Sequence, residues 1–401
     1  MESQRSFLFI ALMVVTYLLY TQWQLDNAPV VEQQTYSQTM ETNIDSSGDF
    51  IPESSDNANT VVKSTVSSAQ LITVNTDVLS LKINTQGGDI VEVKLLAYET
   101  EQGNNIPFTI MQNGQNRYIA QSGLTGANGL DRIIKGRPIY STNGVNFDTE
   151  YNDPLAVDLT YITDDGLAVT KRFTFNHSSY SVNVEYIIEN NTANNVSVQL
   201  YAQLKQSTNV DTSSGLIPTY RGAAYSTSEE RYEKYDFDDI QDQTLNVSTP
   251  GGWVAMLEHY FVSAWVPKAS DNNQLYTSYT SNRDAVIGFK APVMTVETNQ
   301  VASTSAIFYV GPKNQDILES IADNLDLTID YGFLFMISQP LFWLLIKIQS
   351  VVSNWGLAII VITLIVKGGM YPLTKAQYTS MAKMRDLQPK MAVLKERFGD
   401  D

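Results

Sequence analysis

Residues 355–373 read WGLAIIVITLIVKGGMYPL. Nineteen residues with a single charge, Lys367, are enough to cross a bilayer as a helix. Such a span forces the rest of the chain to choose a side, so its neighbours decide the architecture. Before it, residues 333–352 read FLFMISQPLFWLLIKIQSVV, with only Ser353 and Asn354 between the two runs. After it, residues 375–401 carry six Lys/Arg. A third apolar run, SFLFIALMVVTYLLYTQW over 6–23, follows Arg5, and residues 24–43 hold no Lys or Arg. Basic residues accumulate on the cytoplasmic side of spans. Both chain ends are therefore expected in the cytoplasm, which allows two spans, not three.

The first run, within 1–25, reads as an uncleaved anchor. Its exit, Thr21-Gln22-Trp23-Gln24-Leu25, lacks a small-x-small cleavage site, and Tyr17, Tyr20 and Trp23 suit an aromatic belt. The alternative is a cleaved signal peptide. Residues 331–353 are expected to lie on the outer membrane surface. Gln339, Lys347, Ser350 and Asn354 form one helical stripe, and Pro340 is a blemish for a span. The alternative is a buried core helix. Trp23, Trp343 and Trp355 are the expected membrane-interface residues.

Between the apolar ends, residues 24–346 hold 17 Lys/Arg against 38 Asp/Glu. Residues 26–68, rich in Ser, Thr, Asn, Gln and Asp, read as a flexible acidic tether. From Leu71 the period becomes two. Leu79, Leu81 and Ile83 alternate up to a Gly87-Gly88 turn, and Val91, Val93 and Leu95 alternate after it. Val157, Leu159 and Tyr161 lead to Asp164-Asp165-Gly166, a hairpin signal. Val169, Lys171, Phe173 and Phe175 then share one face of the return strand. Val182, Val184, Tyr186 and Ile188 make a further strand, and after a turn at 190–195 Val196, Val198, Leu200, Ala202 and Leu204 resume. The repetition predicts an antiparallel sandwich or barrel over 69–330. One short helix is expected near 314–322, with Ile317, Leu318 and Ile321 on one face.

Composition excludes several functions. The 401 residues carry a formal charge of −17, which argues against nucleic acid. No cysteine is present, so thiolate metal sites, disulfides and a cysteine nucleophile are ruled out. A large exported domain without cysteine suits a bacterial periplasm. The two histidines, His177 and His259, could each serve as a general base beside a carboxylate, but isolated histidines are more often structural. No hydrolase, zincin or nucleotide motif occurs. The expectation is a non-enzyme without cofactor or metal.

Lys367 stands out because an ammonium near a helix centre costs about 2.5–3.5 kcal/mol on insertion scales. Thr363 and Tyr371, four residues to either side, lie on its face and complete a polar stripe suited to line a wet groove. The alternative is snorkelling to the interface past Pro372, where the span is expected to end. Beyond it, 375–401 is expected to be an amphipathic helix interrupted at Pro389. Met381, Met384, Leu387, Met391 and Leu394 recur on one face, either as an adaptable Met-rich surface or as ordinary helical packing.

Several motifs carry a family resemblance: Asn354-Trp355-Gly356, Met370-Tyr371-Pro372-Leu373-Thr374-Lys375-Ala376-Gln377-Tyr378, Ser380-Met381-Ala382-Lys383-Met384-Arg385, and Leu387-Gln388-Pro389-Lys390. With Tyr331-Gly332, Ile337-Ser338-Gln339-Pro340-Leu341 and Gly251-Gly252-Trp253-Val254-Ala255-Met256-Leu257, the chain resembles the YidC-type membrane protein insertases of Gram-negative bacteria. The resemblance implies a membrane protein of mixed α and β structure. It would have an N-terminal anchor, a periplasmic antiparallel β-supersandwich, an interfacial amphipathic helix, the first transmembrane helix of the insertase core over 354–374, and the start of a cytoplasmic hairpin over 375–401. It implies an inner-membrane protein that moves nascent membrane segments from the cytoplasm into the bilayer through a hydrophilic groove. The partners it implies are nascent inner-membrane proteins, the Sec translocon, the ribosome and the lipid bilayer. The family places Arg in the groove where this chain has Lys367, and its core uses five transmembrane helices, so the chain is expected to be truncated. The alternative function is a membrane-tethered periplasmic scaffold or a carbohydrate-binding β-sandwich module.

Overall fold

A computed structural model describes residues 50–52, 69–131, 136–149, 154–208, 220–331 and 335–398. Two large sheets face each other across a shared core. The path through the eleven-stranded sheet starts at Asn246–Pro250 and runs through Asn272–Tyr279, Asp284–Lys290, Val196–Ser207, Tyr118–Thr125, Asp89–Glu99, Leu79–Asn84 and Leu71–Asn75 to Asn146–Asp148. The nine-stranded sheet runs from Glu233–Tyr235 through Gly222–Ser226, Trp253–Leu257, Phe261–Pro267, Gln300–Pro312, Ser181–Asn190, Leu167–Phe175 and Leu155–Ile162 to Ser141–Thr142. Pairing is antiparallel except between Leu71–Asn75 and Asn146–Asp148.

Alternation builds this core. Leu79, Leu81 and Ile83 are buried with Val93 and Leu95 of the next strand, Leu81 opposite Val93. Val157, Leu159, Val169, Phe173, Phe175, Val182, Val184, Tyr186 and Ile188 fill the same cluster from the second sheet. The expected hairpin turn holds, with Gly166 at φ +101°, a conformation open to glycine. Strand Val196–Ser207 departs from simple alternation because it is buried on both faces. Its second face carries polar side chains whose amide hydrogens are donated internally. Gln199 Nε2 donates to Ala291 O at 2.8 Å, and Gln203 Nε2 donates to Gln121 Oε1 at 2.9 Å. Gln203 Nε2 also donates to Phe50 O, and Thr125 Oγ1 to Pro52 O, so Phe50–Pro52 pack here although they fall in the stretch read as a tether.

The short helix α2 (Gln315–Ile321) follows α1 (Phe237–Asp242) and sits where expected. The Asn314 side chain accepts from Ile317 N, and Ala322 closes its C-terminus. Leu318 is fully buried and Ile321 packs beside it, but Ile317 turns outward and is 36% exposed. One turn cannot bury 317, 318 and 321 equally, since adjacent helical positions diverge by about 100°. Two helices complete the described chain, α3 (Phe335–Val352) and α4 (Trp355–Phe398). α4 differs from expectation: it runs unbroken through Pro372 and Pro389 for 44 residues, about 66 Å. Each proline removes one ladder bond, and its ring presses on the carbonyl four residues back. For Pro372 that residue is Gly368, which adds no side chain to the crowding.

Charge inside the sandwich core was not flagged by the apolar pattern. Lys171 is in phase with Val169, Phe173 and Phe175, and it is fully buried. Its Nζ donates to Gly87 O at 3.0 Å, Gly88 O at 2.8 Å and Ser122 O at 3.0 Å, three acceptors on the opposite sheet and its turn. Burial pulls its pKa down, while Asp89 and Asp131 pull it up. Beside it, Arg137 pairs with Asp89 at 2.7 Å and Asp131 at 2.8 Å. Gly87 and Gly88 make room for both cations. At φ +74° and +64°, an added Cβ would meet Arg137 at 2.5 Å or Lys171 Cδ at 2.8 Å.

Lys171→Met would leave Gly88 O without a donor, while Gly87 O and Ser122 O keep Arg137 Nη2 at 3.2 and 2.8 Å, and a buried acceptor left unsatisfied costs about 1–3 kcal/mol. Gly88→Ala, strained in backbone and in space, is expected to cost about 1–3 kcal/mol. Denaturant unfolding followed by tryptophan fluorescence, with Trp253 and Trp265 buried in the sandwich, reads both. Unchanged midpoints would show that the cross-sheet contact is dispensable.

Candidate functional site

α3 and α4 form a helical hairpin. Ser353 adopts φ +56°, and its N–H donates to Gln349 O at 2.7 Å, closing α3. Asn354 then starts α4: its Oδ1 accepts from Leu357 N at 3.1 Å and its carbonyl from Ala358 N at 3.0 Å. An asparagine here satisfies donors that a helix start leaves orphaned. The two-residue connection is thus a complete pair of caps.

Neither helix is a core helix. No residue of α3 is buried among the described residues. Its half-buried positions, Ser338, Leu341, Leu344, Leu345, Ile348, Gln349 and Val352, follow a helical repeat, and Gln339, Lys347 and Ser350 are exposed. The Lys347 ammonium lies 5.9 Å from the centre of the Trp343 ring. Trp343 and Trp355 are both more than half exposed, and Trp23 lies outside the described residues.

α4 meets α3, and its burial is one-sided. Ala358 is fully buried, Val361 and Ile362 partly so, with Val366 at the edge. By helical geometry, Thr363, Lys367 and Tyr371 fall on nearly the opposite side, and all three are exposed. Thr363 Oγ1 donates to Ile359 O at 2.7 Å, so its hydroxyl proton is satisfied within the helix. Among the described residues no carboxylate pairs with Lys367. The three side chains therefore share one uncovered face. Farther along, Met381, Met384 and Leu387 are exposed on the α4 surface, and the side chains of Met391 and Leu394 lie outside the described residues.

The two histidines do not form a site. His177 Nδ1 lies 3.5 Å from Asp77 Oδ1 at the surface, and that carboxylate is committed to Ser178 N and Oγ. His259 sits at the rim of a separate cavity, beside Glu258. No group of three or more metal-ligating side chains occurs among the described residues. Sequence reasoning missed that cavity. It is assembled from strands distant in the chain and has no local motif.

Two family models cover the chain. One, described as the YidC periplasmic domain, matches residues 71–344, and one described as a 60Kd inner membrane protein matches 347–401. A relative from Pseudoalteromonas atlantica, "Membrane protein insertase YidC", is 49% identical over 403 residues, covering 100% of this chain and 74% of the relative. Among solved structures, a galactose mutarotase-like protein from Lactobacillus casei aligns with 60% of this chain and 100% of its own, at 9% identity and TM-score 0.41. A YidC insertase crystal structure with its first transmembrane domain resolved aligns with 82% of this chain and 61% of its own, at 16% identity and TM-score 0.34. On the family models and the close relative together, the chain belongs to the YidC family of inner-membrane protein insertases.

Proposed function

We propose that this chain inserts nascent transmembrane segments into the inner membrane along the Thr363–Lys367–Tyr371 face of α4. The observation that carries this reading is the uncovered polar stripe with an unpaired ammonium in an otherwise apolar helix. Lipid does not tolerate such a face: an uncompensated charge at mid-bilayer is costly, and intramembrane ionisable residues face water or protein. A wet groove that receives the polar part of a substrate meets that requirement. Across such a groove, Lys367 attracts acidic residues of a passing segment. Unit charges about 4 Å apart gain about 4 kcal/mol at an effective dielectric constant of 20, before desolvation.

The same reading assigns the membrane layout. α4 crosses the bilayer from Trp355, α3 lies on the periplasmic surface with Trp343 and Trp355 at headgroup level, and the sandwich is periplasmic. The basic tail of α4 is cytoplasmic, beside the emerging client, where the ribosome is the natural partner. The Sec translocon is the second partner, for clients with large exported loops. The Met381, Met384, Leu387, Met391 and Leu394 face is the contact surface of the cytoplasmic helix.

Because the chain has no cysteine, single cysteines report topology directly. Ser350→Cys is expected to react with a membrane-impermeant maleimide added to intact spheroplasts, and Lys383→Cys only after lysis. Protection of position 350 on the outer side would mean that α3 does not lie there.

Substrate contact is tested separately. Photo-crosslinkers at Thr363 or Tyr371 are expected to capture a ribosome-stalled membrane segment, and a crosslinker at Ile365, on the far side of the helix, is not. Lys367→Arg should retain insertion. Lys367→Ala should lower insertion of short-tailed acidic segments several-fold more than of neutral ones, and Lys367→Glu should lower it further. Equal insertion per membrane-embedded molecule by all variants, with no crosslink at 363 or 371, would leave snorkelling as the role of Lys367.

A further inference from the structure

The cavity beside His259, of about 360 Å³, lies at one end of the sandwich and is lined by residues of both sheets. Its volume is that of a small-ligand site. Two kinds of surface meet in it. One is aromatic: Phe108 stacks on Phe261 with centroids 4.9 Å apart, and Tyr220 is held by its hydroxyl, which donates to Ala223 O at 2.7 Å. The other is polar and mixed in sign. The Gln206 amide lies between Arg221 and Glu258, 3.4 Å from Glu258 Oε1. The amide oxygen accepts from Arg221 Nε at 3.3 Å and Nη2 at 2.9 Å.

Burial holds the Glu258 carboxyl above its ordinary range, against the pull of Arg221, Gln206 and Lys313, and its oxygens offer acceptors to the cavity. Beneath it the Tyr118 hydroxyl is buried at the cavity floor. It lies near enough to Ser263 to influence its titration, but without hydrogen-bond geometry. Buried hydroxyls are rarely left so.

Charge and backbone narrow the ligand. An anion would meet Glu258 and a cation would meet Arg221, so neither is favoured. An extended peptide is read chiefly through free main-chain groups, and several of those around the cavity are already paired. Gln112 and Tyr118 exchange both backbone hydrogen bonds, at 3.0 and 2.8 Å, Glu258 N donates to Phe261 O, and Lys313 N donates to Tyr260 O. What remains is side-chain capacity for groups that donate and accept at once, next to flat apolar rings. Hydroxyls on a ring with an apolar face supply that combination. We propose that this cavity binds a neutral carbohydrate, one pyranose unit of it packing on Phe108 and Tyr220 while its hydroxyls bond to Glu258, Gln206 and Arg221.

The test uses the chain in lipid nanodiscs free of sugar-headed detergents. Saturation-transfer NMR is recorded with the methyl glycosides of glucose, galactose and N-acetylglucosamine, and with a blocked Ala-Tyr-Ala tripeptide. At least one glycoside is expected to receive saturation with a Kd below about 1 mM, and Glu258→Gln or Asn116→Ala to weaken it about tenfold. Asn116 is an exposed lining residue, so its variant leaves the fold intact if Glu258→Gln does not. No saturation of any glycoside, saturation of the tripeptide alone, or binding unaltered in both variants would overturn the assignment.

Discussion

A charged group out of water must be met on every hydrogen it carries, and two lysines show how differently this chain handles that constraint. Lys171 crosses from one sheet to the other and gives its three hydrogens to three backbone carbonyls. Those carbonyls belong to the Gly87-Gly88 turn and to Ser122, positions where the strand ladder supplies no partner. The lysine thus replaces strand pairing at the point where the first sheet turns. Asp89 and Asp131 hold Arg137 alongside, and burial lowers the Lys171 pKa to about 7.

Lys367 has the opposite environment. It sits on a helix whose one buried flank, at Ala358, faces away from it, and no carboxylate of the described chain reaches it. A structural lysine is recognised by complete satisfaction, as at Lys171. A lysine without partners in an apolar helix costs stability unless water or a client compensates it. This contrast, more than the presence of charge, separates the lysine that holds the fold from the one assigned to substrate. The same logic covers Thr363, whose hydroxyl proton is satisfied within its own helix and whose side chain adds polarity without demanding a partner.

Much of the fold was legible because a half-buried strand advertises itself every second residue. Leu79, Leu81, Ile83, Val182, Val184, Tyr186 and Ile188 are buried as their spacing requires, and Asn314 begins a helix where its cap chemistry predicts. Reading was less complete where burial is two-sided or non-local. Strand Val196–Ser207 hides Gln199, Gln203 and Lys205 on its second face, because distant segments, Phe50–Pro52 among them, cover that face. Lys171 was in phase with its apolar neighbours, and that phase was the available signal: a lysine at an inward position must have acceptors. Its acceptors lie 84, 83 and 49 residues away, so no local pattern shows them. The interruption expected at Pro389 is absent and the helix also continues past Pro372, because proline forbids only its own hydrogen bond, and the neighbouring turns of a long helix retain theirs.

The candidate site was legible for a different reason. Thr363, Lys367 and Tyr371 are separated by one helical repeat on each side, and a helix turns a repeat of four into a face whatever surrounds it. What spacing left open was which side of α4 that face occupies relative to α3, and one-sided burial at Ala358, Val361 and Ile362 answers it. The answer has a mechanical consequence. Ser353 and Asn354 are both consumed as caps, so no slack residue separates the helices. The end of α3 therefore sets where α4 begins. The polar stripe, fixed in register along α4, is set with it. A longer linker would let α4 rotate and carry Lys367 toward lipid. The two-residue connection removes that freedom and keeps the uncovered face turned away from α3.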